Sequence, residues 1–105
     1  MKVQVYFFKE PEVEMIIKNN RIKNNRISNQ ALFTLYDLVW ESEFKNILNP
    51  GRIWLKFKEE DKPFGIPLRE KKSHNKIDLG DIIQIADDYY IVDTVGVRKI
   101  TIIKN

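Results

Sequence analysis

The chain contains no cysteine, a single histidine and only four glycines in 105 residues. Without thiols there is no disulfide framework, no thiolate nucleophile and no cysteine-based zinc or iron–sulfur site, and the expectation is a reducing compartment. One histidine, His74, excludes a His-pair metal site and a two-histidine acid–base scheme. The glycines are scattered, so neither a GxGxxG fingerprint nor a phosphate loop is present. No run approaches about eighteen apolar residues, and the N-terminal MKVQVYFFKEPE meets Glu10 and Pro11 before a signal-peptide core can form. The expectation is a soluble, cytoplasmic protein with no membrane partner, no metal and no cofactor.

What is present suffices for one core. Hydrophobic residues make up 43% of the chain, with two Trp, four Tyr and six Phe, which predicts a single domain over residues 1–105. The net charge is +3, but the charges are unevenly spread. Lys18, Arg21, Lys23 and Arg26 fall in a stretch without an acid, and Arg69, Lys71, Lys72 and Lys76 stand against Glu70 alone. Asp78, Asp81, Asp87, Asp88 and Asp93 occupy a segment without Lys or Arg. This segregation predicts separate basic and acidic faces.

The first basic stretch is a tandem unit, KNNRIKNNRI over residues 18–27. Five residues in a helix place successive copies about 140° apart, so Ile17, Ile22 and Ile27 cannot form one helical stripe. Asn tolerates positive φ, and either Asn19-Asn20 or Asn24-Asn25 suits a two-residue turn. With VQVYFF and VEMII before it, residues 1–27 read as N-terminal strands and a basic β-hairpin.

From Ser28 the apolar residues Leu32, Leu35 or Tyr36, Val39, Phe44 and Ile47 recur at three-to-five-residue steps, predicting one central helix over 28–49. Ser28 or Asn29 caps it, Trp40 lies on its buried face, and Asn49-Pro50-Gly51 ends it. RIWLKFK at 52–58 alternates and predicts a strand with Ile53, Leu55 and Phe57 on one side. Residues 59–76 read as a loop with a short strand near Ile66–Leu68. In GDIIQIADDYYIVDTVG, Asp87-Asp88 serves as a turn, Ile83, Ile85, Tyr90 and Val92 share an inward face, and Ile82, Gln84, Tyr89, Ile91 and Asp93 form a mixed opposite face. KITIIK adds a third strand. The fold class expected is α+β: an N-terminal β-hairpin, one central helix, and a C-terminal antiparallel sheet within 52–105.

The run KIDLGDIIQIADDYYIVDTVGVRKI resembles the C-terminal signature of YodL-like domains, small accessory modules of phages, conjugative elements and large polyvalent proteins. Leu79, Gly80, Asp81, Ile82 and Ile83 carry the entry, and Tyr89, Tyr90, Val92, Asp93 and Gly96 the Tyr-rich second strand; Val97 departs from the usual aromatic. The resemblance covers about a quarter of the chain. It implies a mobile-element setting and brings no catalytic residues to carry over.

Three functions follow, in order. The first is a non-catalytic protein that binds a host protein or nucleoprotein complex stoichiometrically, a host-defence inhibitor such as an anti-CRISPR being one instance, through Asp78, Asp81, Asp87, Asp88 and Asp93. The second is nucleic-acid binding through Lys18, Arg21, Lys23, Arg26, Arg69, Lys71 and Lys72, since cations neutralise phosphates and Asn reaches base edges. The third is a small ribonuclease in which His74 or an Asp acts as base beside Arg69 and Lys72. A lone histidine in a basic loop is otherwise expected to be solvated.

Overall fold

Residues 2–8 alternate between two kinds of side chain, and a period of two makes a strand with two unlike faces. The computed structural model of the protein describes residues 1–9, 26–46, 49–94 and 96–103. In it this strand is β1 (Lys2–Phe8), with Val3, Val5 and Phe7 fully buried. β1 lies inside the sheet: β3 (Tyr36–Glu43) pairs along one side and β4 (Ile82–Ile85) along the other, both antiparallel. β5 (Asp88–Asp93) and β6 (Gly96–Ile103) continue the antiparallel run, and β2 (Arg26–Ser28) adds a parallel edge on β6. The sheet order is β2-β6-β5-β4-β1-β3. With helices α1 (Asn29–Leu35) and α2 (Pro50–Glu59), this is an α+β domain. No helix among the described residues is long and apolar enough to cross a membrane.

The connectivity dictates the shape of the sheet. β2 runs directly into α1 and α1 directly into β3, so a helix of seven residues joins the two outermost strands of a six-stranded sheet. In a flat sheet five steps of about 4.8 Å would separate those strands by about 24 Å, whereas seven helical residues rise only about 10 Å. The sheet is therefore strongly curled beneath α1. α1 bridges the curled side over a core that includes Phe8, Ile27, Leu32, Tyr36, Ile82 and Ile91. The other face is covered by α2, whose Ile53 and Phe57 pack with Val5, Phe7, Trp40 and Ile83.

Three expectations change. The predicted helix over 28–49 is a helix only to Leu35. Ser28 caps it as expected, its Oγ accepting from Ala31 N at 3.0 Å, but Tyr36 is extended and β3 follows. A β-bulge produced the misleading spacing: Val5 faces Trp40 and Tyr6 faces Leu38, so Val39 is the extra residue, and Val39 and Trp40 are both buried in one core. The predicted strand over 52–58 is α2. Asn49-Pro50-Gly51 starts this helix instead of ending one, with Asn49 accepting from Gly51 N at 2.8 Å and Pro50 in the first turn. Ile53 and Phe57, four residues apart, face the core, while Leu55 is exposed. Residues 66–68 form no strand; a short 3-10 turn at Pro63–Gly65 precedes them. Of the N-terminal hairpin, Arg26 and Ile27 open β2, and the rest of residues 10–25 lies outside the described residues.

The C-terminal hairpin forms with its faces as expected but its turn shifted. Ile85 pairs with Asp88 and Ile83 with Tyr90, so the turn is Ala86-Asp87. A slip of two residues preserves the pleat, which is why Ile83, Ile85, Tyr90 and Val92 still lie on one core face. The turn holds Ala86 at φ 53, a conformation in which a Cβ is crowded. Ala86→Gly is expected to raise stability by about 0.5–1 kcal/mol, the relief exceeding the entropic cost of glycine. A urea midpoint that falls in this variant would contradict that reading.

Candidate functional site

β1 outruns its partner β4. Their ladder ends at the pair Tyr6–Ile82, leaving Phe8 without a strand on that side, and buried backbone groups need other partners. Side chains supply them: Phe8 N donates to Asp81 Oδ1 at 3.1 Å, and the Phe8 carbonyl accepts from the Ser73 hydroxyl at 2.5 Å. His74 joins the two. Its Nδ1 lies 2.6 Å from Ser73 Oγ and its Nε2 2.6 Å from Asp81 Oδ2. The ring stacks on Phe7 at 4.4 Å between centroids, and Phe8 lies at the same distance, tilted. The expectation of a solvated histidine is thus corrected, the side chain being only 20% exposed.

Asp81 is fully buried. Its carboxylate also accepts from Asp78 N at 2.8 Å, and Tyr36 OH donates to the adjacent Gly80 carbonyl at 2.7 Å. Burial pushes Asp81 up to about 6, against the opposing pull of His74 and the backbone donors from Asp78 and Phe8. Burial and the Asp81 charge raise the Tyr36 phenol further above its ordinary value.

Serine, histidine and aspartate in one line have the composition of a hydrolytic triad. The geometry gives them another role. The Ser73 proton is directed at the Phe8 carbonyl, and each Asp81 oxygen already accepts a backbone N–H. Cavities of about 420 and 390 Å³ on the described surface are lined by other residues than Ser73, His74 and Asp81. Arg69 and Lys72, expected beside His74 in a ribonuclease, instead meet Glu41 and the Arg69 carbonyl. The cluster works as a cap on the end of β1.

The predicted charged faces are not segregated among the described residues. Asp88 pairs with Lys99 at 3.4 Å, Asp93 with Arg98 at 3.3 Å, Glu41 with Arg69 at 3.8 Å and Asp37 with Lys71 at 3.8 Å. Cross-strand register explains the first two as diagonal pairs, since Lys99 lies opposite Tyr90, two residues from Asp88, and Arg98 opposite Ile91, two residues from Asp93. Of the five aspartates assigned to an acidic face, Asp81 is buried and cannot meet a partner, whereas Asp78, Asp87 and Asp88 are exposed. Arg26 is exposed at the start of β2. Lys18, Arg21 and Lys23 lie outside the described residues. Among the described residues no cluster of His, Asp or Glu suits a metal ion.

A second arrangement stands on the curled face, its Tyr89 end sharing a surface cavity with Asn29 at the start of α1. Tyr89 lies opposite Gln84, Gln84 opposite Gln4 and Gln4 opposite Glu41, a row across four strands. Tyr6 OH donates to Gln84 Oε1 at 2.9 Å, and Gln4 Nε2 donates to Glu41 Oε2 at 3.1 Å. The rings of Tyr6 and Tyr89 pack against the smaller core. Burial, then Tyr89 and Glu41, push Tyr6 up to about 12; burial and Asp87 raise Tyr89. All five side chains of the row and its tyrosines are partly exposed. The only trace of this patch in the sequence was the mixed outer face of the C-terminal hairpin; Gln4, Tyr6 and Glu41 gave no signal of their own.

Comparison with protein-family models, with curated proteins and with solved structures finds no match.

Proposed function

We propose that the domain is a non-catalytic binding module that engages a protein partner through the partly exposed polar row on its curled sheet face. The observation that carries this reading is the row Tyr89, Gln84, Gln4 and Glu41, in which Tyr6 above it donates to Gln84 and Gln4 donates to Glu41. Tyrosines with an apolar ring against the core and a polar tip outward suit a protein interface. Glutamine amides offer both donors and acceptors to a facing backbone. The rigid sheet beneath them limits the entropy lost on binding.

A polypeptide is favoured over a nucleic acid by charge. Glu41 is paired with Arg69 and Asp88 with Lys99, so the carboxylate that opposes a polyanion at this face is Asp87, beside Tyr89. The mobile-element setting implied by the YodL-like resemblance makes the partner a host protein. A photo-crosslinking amino acid at position 89 tests the assignment in nuclease-treated extract of the native cell, with position 58, on the exposed side of α2, as control. A polypeptide crosslinked from 89 and not from 58 is expected. Equal crosslinking from both positions, or crosslinks to RNA or DNA in untreated extract, contradicts the proposal.

A further inference from the structure

The cap on β1 carries a proton count. Three contacts lie in one line: Asp81 Oδ2 to His74 Nε2, His74 Nδ1 to Ser73 Oγ, and Ser73 Oγ to the Phe8 carbonyl. Each contact is a hydrogen bond only if one proton sits in it. The carbonyl can only accept, so the serine proton is committed to Phe8. The serine oxygen must then accept, which requires a proton on Nδ1. The last contact, at 2.6 Å, needs one more proton, on Nε2 or on Oδ2. A neutral imidazole facing an ionised carboxylate supplies one proton too few, and two lone pairs would oppose each other somewhere along the line.

A further proton has no place either. Asp81 Oδ1 accepts from Phe8 N, and Oδ2 accepts from Asp78 N, so protonating both the ring and the carboxyl sets a hydroxyl against a backbone donor. Among the described residues, the groups packed against the cluster offer no compensating charge. Phe7 and Phe8 from β1 are apolar, Tyr36 from β3 keeps its proton and donates to Gly80, and the Asp78 carboxylate is turned to the Leu79 amide.

We propose that Ser73, His74 and Asp81 form a one-proton latch, which holds the loop at residues 73–81 to the end of β1 while the His74–Asp81 pair shares one proton and loses a link when that proton leaves. Burial raises the Asp81 carboxyl to about 6, which brings carboxyl and imidazole into competition for the same proton. The sign follows. The folded pair keeps its proton to higher pH than a free histidine, so the stabilisation is fully present below about 6.5 and is lost as pH rises through the folded value. The link that opens is the one at exposed Ser73, where the hydroxyl swings from Phe8 to Nδ1.

His74 is the only histidine, so its ring nitrogens can be followed without assignment by 15N NMR of the full chain between pH 5 and 9. The expected result is an apparent pKa for the pair at least about one unit above the ordinary 6.5. Below it both ring nitrogens are protonated, or Nδ1 alone with the proton shift appearing on the Asp81 carboxyl carbon. Asp81→Asn is expected to abolish the proton shared across this contact, and the wild-type titration decides the matter even if that variant fails to fold. A neutral ring protonated on Nε2 at pH 6.5 overturns the proposal. In urea, the wild-type unfolding constant is expected to rise about tenfold from pH 6 to pH 8.5, the worth of one link; an unchanged constant overturns it as well.

Discussion

Replacing Asp81 by alanine is expected to lower the unfolding free energy by about 3 kcal/mol, one of the largest effects of any polar substitution in the chain. The change removes the acceptor of two backbone N–H groups, Phe8 and Asp78, and the partner of His74 Nε2. A buried donor left without an acceptor costs about 1–3 kcal/mol. Part of this is offset because a buried carboxylate carries its own desolvation penalty, visible in the raised position of Asp81. The loss is read from urea denaturation at pH 6. Asp78→Ala serves as comparison: its exposed carboxylate bonds the neighbouring Leu79 amide, and the expected loss is below about 1 kcal/mol. Equal effects of the two substitutions would mean that the cap on β1 contributes nothing specific.

The second large effect concerns binding. Tyr89→Ser is expected to weaken association with the protein partner about thirtyfold, the scale of an interface tyrosine worth about 2 kcal/mol. The fold should lose no more than about 1 kcal/mol, because Tyr89 is only partly buried at the margin of the smaller core. Serine keeps a hydroxyl but removes the ring that joins the core to the surface. Separation of the two effects is the point of the substitution: affinity falls steeply while the urea midpoint moves little.

The parts of this molecule that sequence reveals are those whose periods have one explanation. The C-terminal hairpin alternates cleanly, and its faces were legible even though the turn was placed one residue late, since a slip of two leaves each side chain on its side of the sheet. The middle of the chain defeats the same reasoning for identifiable causes. Val39 and Trp40 both enter one core through a bulge, imitating a helical step. In α2, Ile53, Leu55 and Phe57 alternate like a strand, yet only Ile53 and Phe57 are buried. Asn-Pro-Gly is compatible with either end of a helix, and local chemistry alone does not choose. The clustering at His74 was not readable at all: Ser73 and Asp81 reach Phe8 across 65 and 73 residues of chain. Charge segregation along the chain likewise failed to become segregation in space, because β5 and β6 lie side by side and pair their opposite charges.

Whether function resides in the curled face is tested most directly by a binding titration of the crosslinked partner, once purified, against three forms of the protein: wild type, Tyr89→Ser and Lys58→Ser. Lys58 lies on the solvent side of α2, over the Trp54 ring, on the face opposite the row. Wild type and Lys58→Ser are predicted to bind alike, with Tyr89→Ser about thirtyfold weaker. Equal affinity of wild type and Tyr89→Ser, or a loss confined to Lys58→Ser, would contradict the assignment.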